Sequence, residues 1–484
     1  MNTVGGAAVG LLVLSAGGVL PAIGLARFRL VAIPLAPLAG AVIASLAVTA
    51  MAAVDGSVFI WYVILSLLGA AVVLLCWWRF PRSRPWGSGL HHSDARGLYV
   101  AAGLGSLVVC VIGLSALKAP MTGFDTRDIW LLHPVWYLQG HAKTLATLRS
   151  AAYQWNHPPY PPLIGGSVAL TWFITGANSV RLGVVMVTLL NGLAVFAIGI
   201  AVVDVASRLA GMGEDASQRL RTHTAGVVLT VGIVLVAFST AGVIISDGYA
   251  DVLWSCAAVG AVAYGLVLPL AASNVGAAAI LVSVAGLTKL EGSLTAAVIV
   301  GLIAARLLLT LRGSGWVRAS MGAGGFAIAL WTVIAAWPLA IRMLGALPNV
   351  PIGGARVGND ASRLSATVHG AALWAQPHLV VLGLAVLVAL VGAYSLRDTR
   401  RGAGLGNDLW GWATVCAALA VVVVAYVVGP GSAPGWIHSS ILRTTIFPCL
   451  EAWWIMTTWA VLAVHGTRSS NAERADMDHA PQGA

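Results

Sequence analysis

Ala225-Gly-Val-Val-Leu-Thr-Val-Gly-Ile-Val-Leu-Val-Ala-Phe-Ser-Thr-Ala-Gly-Val-Ile-Ile245 is a continuous run of 21 residues without a charge or a proline. An α-helix needs roughly 20 apolar residues to cross the hydrocarbon core of a bilayer, whereas a membrane β-strand needs about half that. The run also lacks the polar–apolar alternation of barrel strands. In hydrocarbon every backbone polar group must be satisfied internally, and a helix does this within one segment. The stretch therefore predicts a transmembrane helix.

Similar runs extend outward from it in both directions, near 4–25, 30–53, 57–78, 98–117, 182–203, 252–271, 276–288, 293–310, 320–341, 379–395, 408–428 and 446–464. The fold expected is all-α and polytopic, with about 13 transmembrane helices. Composition agrees, since 59% of the 484 residues are hydrophobic and 9% charged, against roughly 25% charged in a soluble protein. A water-soluble domain so built would expose a large apolar surface.

The net charge of +10 does not read as a nucleic-acid footprint. The arginines cluster in short interhelical segments: Arg27 and Arg29; Arg79, Arg82, Arg84 and Arg96; Arg312 and Arg318; Arg397, Arg400 and Arg401. That is the signature of a cytoplasmic face. The five cysteines lie in or beside apolar runs with no paired spacing, so neither a disulfide framework nor a zinc site is implied. The first 25 residues lack a basic leader and read as a retained helix.

If 79–96 is cytoplasmic, 118–160 is external. The short run 161–175 begins with prolines and reads as a half-helix that dips in without crossing. That choice keeps every later Arg-rich loop inside and places 342–378 and 429–445 outside. The chain then divides into an N-terminal three-helix segment (1–97), a transmembrane core (98–464) carrying the external loop 118–160, and a disordered cytoplasmic tail (465–484). A bacterial cytoplasmic membrane is the expected location.

The external loop gathers Asp125, Arg127, Asp128, His133, His141, Lys143, Arg149 and His157, interleaved with Trp130, Trp136, Tyr137, Tyr153, Trp155 and Tyr160. It reads as short amphipathic helices whose Ile129, Leu132, Trp136 and Leu138 lie on the membrane surface. It ends in His157-Pro-Pro-Tyr-Pro-Pro-Leu163, expected to be a stiff extended turn. A carboxylate can deprotonate a hydroxyl, cations can hold a phosphate, and aromatic faces can stack on sugars. Together they suit an amphiphilic substrate with a lipid tail, a phosphate and a sugar. Further along, Lys289 and Glu291 sit between apolar spans, where ionisable residues are costly and paired or functional. Asp251 opens a span, as an N-cap would, and Arg443 follows the external run 429–440. Glu451, inside the last span beside Trp453 and Trp454, has no assignment.

Four stretches occur in order: Asp125-Thr-Arg-Asp-Ile-Trp130, His157-Pro-Pro-Tyr-Pro-Pro-Leu163, Gly248-Tyr-Ala-Asp251 and Leu287-Thr-Lys-Leu-Glu-Gly292. In this order they resemble the GT-C class of membrane glycosyltransferases, which includes protein O-mannosyltransferases, the lipid A aminoarabinose transferase and mycobacterial arabinosyltransferases. The resemblance covers roughly residues 98–300. It implies a polyprenyl-phosphate sugar donor, a glycan, lipid or protein acceptor, and inverting transfer on the outer face. It also implies an acidic base at the start of the first outer loop, which is Asp125 here, with Asp128 as second choice and Arg127 and Lys118 as neighbouring cations. Arg127, His157, Tyr160, Asp251, Lys289, Glu291 and Arg443 are the candidate substrate-binding residues. Pro159 stands where many relatives carry an acid. No metal-ligand spacing is visible, and a divalent cation at Asp125 or Asp128 stays open. The alternative is a transporter or flippase of a lipid-linked sugar. Transporters place charges and broken helices at the bilayer midplane within repeats, and no repeat is found.

Overall fold

The computed structural model describes residues 2–26, 31–79, 125–209, 249–347, 357–395, 408–429 and 432–457, with isolated positions 103 and 107. Every regular element among them is helical. In chain order these are α1 (Thr3–Ala26), α2 (Ala32–Val54), α3 (Val58–Arg79), a π-helical turn (Asp125–Trp130), α4 (His133–Leu138), α5 (His141–Leu148) and a 3-10 turn (Ala151–Asn156). There follow α6 (Leu163–Thr175), α7 (Val180–Leu209), α8 (Asp251–Val262) with a π-helical extension (Ala263–Val267), α9 (Ala272–Thr288), α10 (Leu290–Leu311) and α11 (Trp316–Met343). Then come α12 (Asp360–Trp374), α13 (Gln376–Ser395), α14 (Asp408–Val428) and α15 (Ala433–Thr444), followed by a helical stretch over 446–457.

Seven of these are long and apolar enough to cross a membrane, or eight if α12 and α13, bent by 86°, make one span. The expected thirteen are not reached among the described residues. The runs 98–117 and 225–245, the Arg-rich segments 80–96 and 397–401, Lys118 and the tail 465–484 lie outside them. The run read as 276–288 is part of a 17-residue helix, α9.

Small residues bring the first helices together. A side chain on Gly18 would run into the Ala36 carbonyl, and one on Gly40 into that of Leu14. The backbones of α1 and α2 thus touch, the packing that hydrocarbon favours. Tyr62 of α3 donates to Val13 O at 2.9 Å.

Within the run 161–175 lies α6, a shorter apolar helix that is not among those long enough to cross a membrane. Helix α6 has 13 residues, about 20 Å at 1.5 Å per residue. Gly165 lies against His133 and Tyr137 of the loop, and Phe173 stacks on Phe59 at the start of α3 (5.2 Å). Gly183, at the start of α7, abuts Leu131. The start of α6 thus packs on α4 and on the middle of α2, and its last turn on the start of α3. Gly176, at φ +64°, makes the left-handed stop that a glycine supplies without steric cost.

Helices α8 and α9 form a hairpin that starts and finishes at one end of the bundle. At its far turn, Arg306 of α10 donates to Gly265 O (3.0 Å) and Leu268 O (2.8 Å). This satisfies carbonyls beside the π-helical extension, whose bonding pattern leaves the next turn short of donors. Helix α11 returns to the near end. There Arg149 Nε donates to Leu344 O (2.8 Å), and Leu347 N to Leu148 O (2.9 Å). Buried Arg363 of α12 donates to the carbonyls of Tyr426, Val427 and Gly429 that end α14. A small separate core of Ala375, Tyr426, Ala433, Ile437 and Ile441 joins α12 to α15. The described parts of 118–160, 342–378 and 429–445 thus cap one end of the bundle.

The first outer loop is a chain of short helices, but its apolar residues do not lie on a membrane surface. Ile129 and Trp136 are 2% and 3% exposed, and Leu132 and Leu138 pack against the same core. Gly165 of α6 lets α4 settle onto it, so these side chains turn inward to the protein.

Candidate active site

Five ionisable residues from four distant stretches meet at the capped end. Asp251 is the first residue of α8, and at 1% exposure its carboxylate is out of water. Burying a carboxylate costs several kcal/mol unless it is paired and hydrogen-bonded. Lys289 Nζ donates to Asp251 Oδ1 at 2.9 Å, and Arg443 Nε donates to Oδ2 at 3.1 Å. The N-cap reading of Asp251 is overturned. Ala250 occupies the N-cap position and Asp251 is the first helical residue, with both its oxygens engaged by the two cations, which bind a carboxylate more strongly than a backbone amide would.

Lys289 occupies an extended break (φ −153°, ψ 159°) between α9 and α10, which aims its side chain at the start of α8. Gly292 makes the break tight: a side chain there would run into the Ala285 carbonyl. Glu291 lies 3.5 Å from Lys289 Nζ, so this expected pair exists but is secondary to Asp251. Arg443, in the last turn of α15, reaches the first outer loop as well: its Nη2 donates to Asp125 Oδ2 at 2.5 Å. Its guanidinium lies over the Tyr249 ring, 4.7 Å from the centroid, a favourable cation–π placement. Burial weakens the guanidinium's hold on its proton, but Asp251 and Asp125 outweigh it and the pKa rises. The cluster holds three carboxylates (Asp125, Asp251, Glu291) against two cations (Lys289, Arg443), a net charge of −1 with all five ionised.

Arg127 and Asp128 stand apart. They pair with each other at 2.8 Å on the exposed side of the π-helical turn. The cation beside Asp125 is therefore Arg443, and Arg127 serves Asp128, because the tight turn points their side chains away together. The main chain at Asp128 is fixed by Asn156 Nδ2, which donates to its carbonyl at 2.9 Å, while His133 Nε2 bonds Asn156 O at 2.8 Å. His133 is fully buried, and this lowers its pKa to about 4.

The turn after Asn156 is not extended. His157 adopts a left-handed conformation (φ 50°, ψ 54°), and Tyr160 N donates back to its carbonyl at 2.9 Å. Trp337 of α11 holds the second proline of the turn, its Nε1 donating to Pro159 O at 3.1 Å. The rings of His157 and Tyr160 stack at 4.8 Å, and Tyr160 stacks on Trp130 at 5.5 Å. Burial lowers the His157 pKa, with Asp125 opposing and Lys289 assisting.

No family model, curated protein or solved structure matches the chain. The GT-C resemblance thus rests on the four quoted stretches, three of which place residues in this cluster. Among the described residues no three His, Cys, Asp or Glu side chains group as metal ligands. Three supporting residues carry no signal that singles them out in the sequence: Tyr249, Asn156 and Trp337. Of the three, Tyr249 alone lies inside a quoted stretch, Gly248–Asp251.

Proposed function

We propose that the protein is an inverting membrane glycosyltransferase that moves a sugar from a polyprenyl-phosphate donor to a hydroxyl acceptor, with Asp125 as the base. The observation that carries this reading is the meeting of Asp125 and Arg443, 318 positions apart in the chain, within the network that also holds Asp251 and Lys289. In the proposed reaction the acceptor oxygen loses its proton to Asp125 and attacks the anomeric carbon. The bond from that carbon to the prenyl-phosphate oxygen breaks, and the phosphate leaves with the electron pair. Preorganised cations beside the developing charge lower the barrier, and Arg443 and Lys289 fill that role.

The pairing of Arg443 suggests an order of events. It binds Asp251 through Nε and Asp125 through Nη2. A phosphate oxygen that takes Nη2 frees Asp125 while the buried Asp251 keeps the guanidinium in place. The base is thereby released as the donor arrives. All five groups lie at helix ends or breaks, which favours transfer at a surface over carriage through the midplane. The acceptor is a cell-envelope glycan, lipid or protein, and the site faces the exterior of a bacterial cytoplasmic membrane.

The test is mass spectrometry of the purified protein given undecaprenyl-phosphate sugars and envelope acceptors. Release of undecaprenyl phosphate with glycosylated acceptor is expected. Failure to bind any undecaprenyl phosphate, or translocation of lipid-linked sugar in vesicles without transfer, would refute the reading.

A further inference from the structure

The charged groups of the cluster face one another, so what they leave unmatched is informative. Buried side-chain polar atoms without a hydrogen-bond partner include His157 Nδ1, Glu291 Oε2 and Trp130 Nε1. Of these His157 is the most tightly constrained. It is 7% exposed, and its ring is clamped by Tyr160 (interplanar angle 12°), itself backed by Trp130. Its backbone sits where L side chains are uncommon, immediately before a proline, which restricts it further. Glycine or asparagine would meet that backbone requirement more easily. A histidine there brings a ring nitrogen to the site at conformational cost.

We propose that His157, supported by Tyr160 and Trp130, reads a hydroxyl group of the transferred sugar. This rests on the transferase reading and assigns the site's sugar-recognising element, separate from its phosphate-binding cations. The electrostatics distinguish the two roles. Burial lowers the pKa of His157, Asp125 and Glu291 raise it, and Lys289 and Arg443 lower it. A charge on His157 would in turn disfavour one on His133 of α4. The balance favours the neutral His157 ring. A neutral imidazole offers one N–H donor and one acceptor. A sugar hydroxyl also donates and accepts, whereas a phosphate oxygen only accepts and is better served by Arg443 and Lys289.

The experiment follows the ring nitrogens of His157 by NMR in the full-length protein carrying 15N-imidazole histidine, with the signals assigned by His157→Phe. The probes are the methyl glycosides of arabinose, mannose, galactose and glucose, and separately undecaprenyl phosphate. One or more glycosides should shift the His157 signals, and undecaprenyl phosphate alone should not. His157→Phe keeps a stacking ring without its nitrogens. It should weaken glycoside binding about 5–100-fold, the effect of leaving one buried hydroxyl unpaired. Undecaprenyl phosphate binding and the melting temperature should stay near wild type, with His157→Asn as a folded control. A His157 signal silent to all four glycosides, or responding to undecaprenyl phosphate alone, overturns the inference. Wild-type protein that binds no undecaprenyl phosphate would instead sink the transferase reading.

Discussion

Asp251→Asn separates the scaffold of the site from its chemistry. The side chain is 1% exposed and accepts from Lys289 at 2.9 Å and Arg443 at 3.1 Å. The substitution keeps the shape but removes the charge that both cations face. Breaking a buried pair by removing one partner costs about 3–5 kcal/mol, because the other charge is left uncompensated. Here Lys289 keeps Glu291 at 3.5 Å and Arg443 keeps Asp125. Two charge-assisted bonds weaken without vanishing, so about 2–3 kcal/mol is expected. Reversible denaturant unfolding in mixed micelles measures it. Asp128→Asn is the control, since its partner Arg127 is 64% exposed and a surface pair contributes about 0–1 kcal/mol. Lys289→Met in the Asp251→Asn background should recover part of the loss, because it removes the stranded charge. Equal stability of Asp251→Asn and wild type, or a larger loss for Asp128→Asn, would refute the argument that Asp251 is the buried keystone of the cluster.

Three further outcomes are expected. Asp125→Asn should lower sugar transfer about 10²–10⁴-fold, the usual contribution of a general base, with donor binding largely retained and Asp128→Asn milder; the reverse ranking would move the base to Asp128. His133 has its pKa lowered to about 4 from an ordinary 6.5, so between those values the unfolded chain binds more protons. Stability should therefore fall as pH drops from about 6.5 to 4, by an amount on the order of 3 kcal/mol, and His133→Gln should flatten this in pH-dependent melting. Cysteines placed at positions 140 and 360 should react alike with a membrane-impermeant reagent, and opposite accessibility would exclude a shared outer face.

Several features were open to reading from residue order. Uncharged runs of helical length dictate helices in hydrocarbon whatever their neighbours, because no water is there to satisfy a backbone. Arginine placement chose between two treatments of 161–175, and its prolines and short apolar length marked a helix too short to span, as α6 is. Ionisable residues beside apolar spans marked Asp251, Lys289 and Glu291, since such positions are expensive unless partnered.

What sequence order could not supply was the partner of each charge. Arg127 is two positions from Asp125 yet pairs with Asp128, while Arg443 arrives from 318 positions away. Asp251 looks like a cap until Lys289 and Arg443 are seen to flank it. The direction of Ile129 and Trp136 was equally hidden, because an amphipathic helix hides its apolar face as readily in protein as in lipid. The left-handed turn at His157 depends on Trp337 holding Pro159 from another helix. Local chemistry determined which segments enter the membrane and which residues are too costly to be incidental. Only tertiary packing decided their pairing, because Coulomb energy depends on separation in space and the chain must fold before those separations exist.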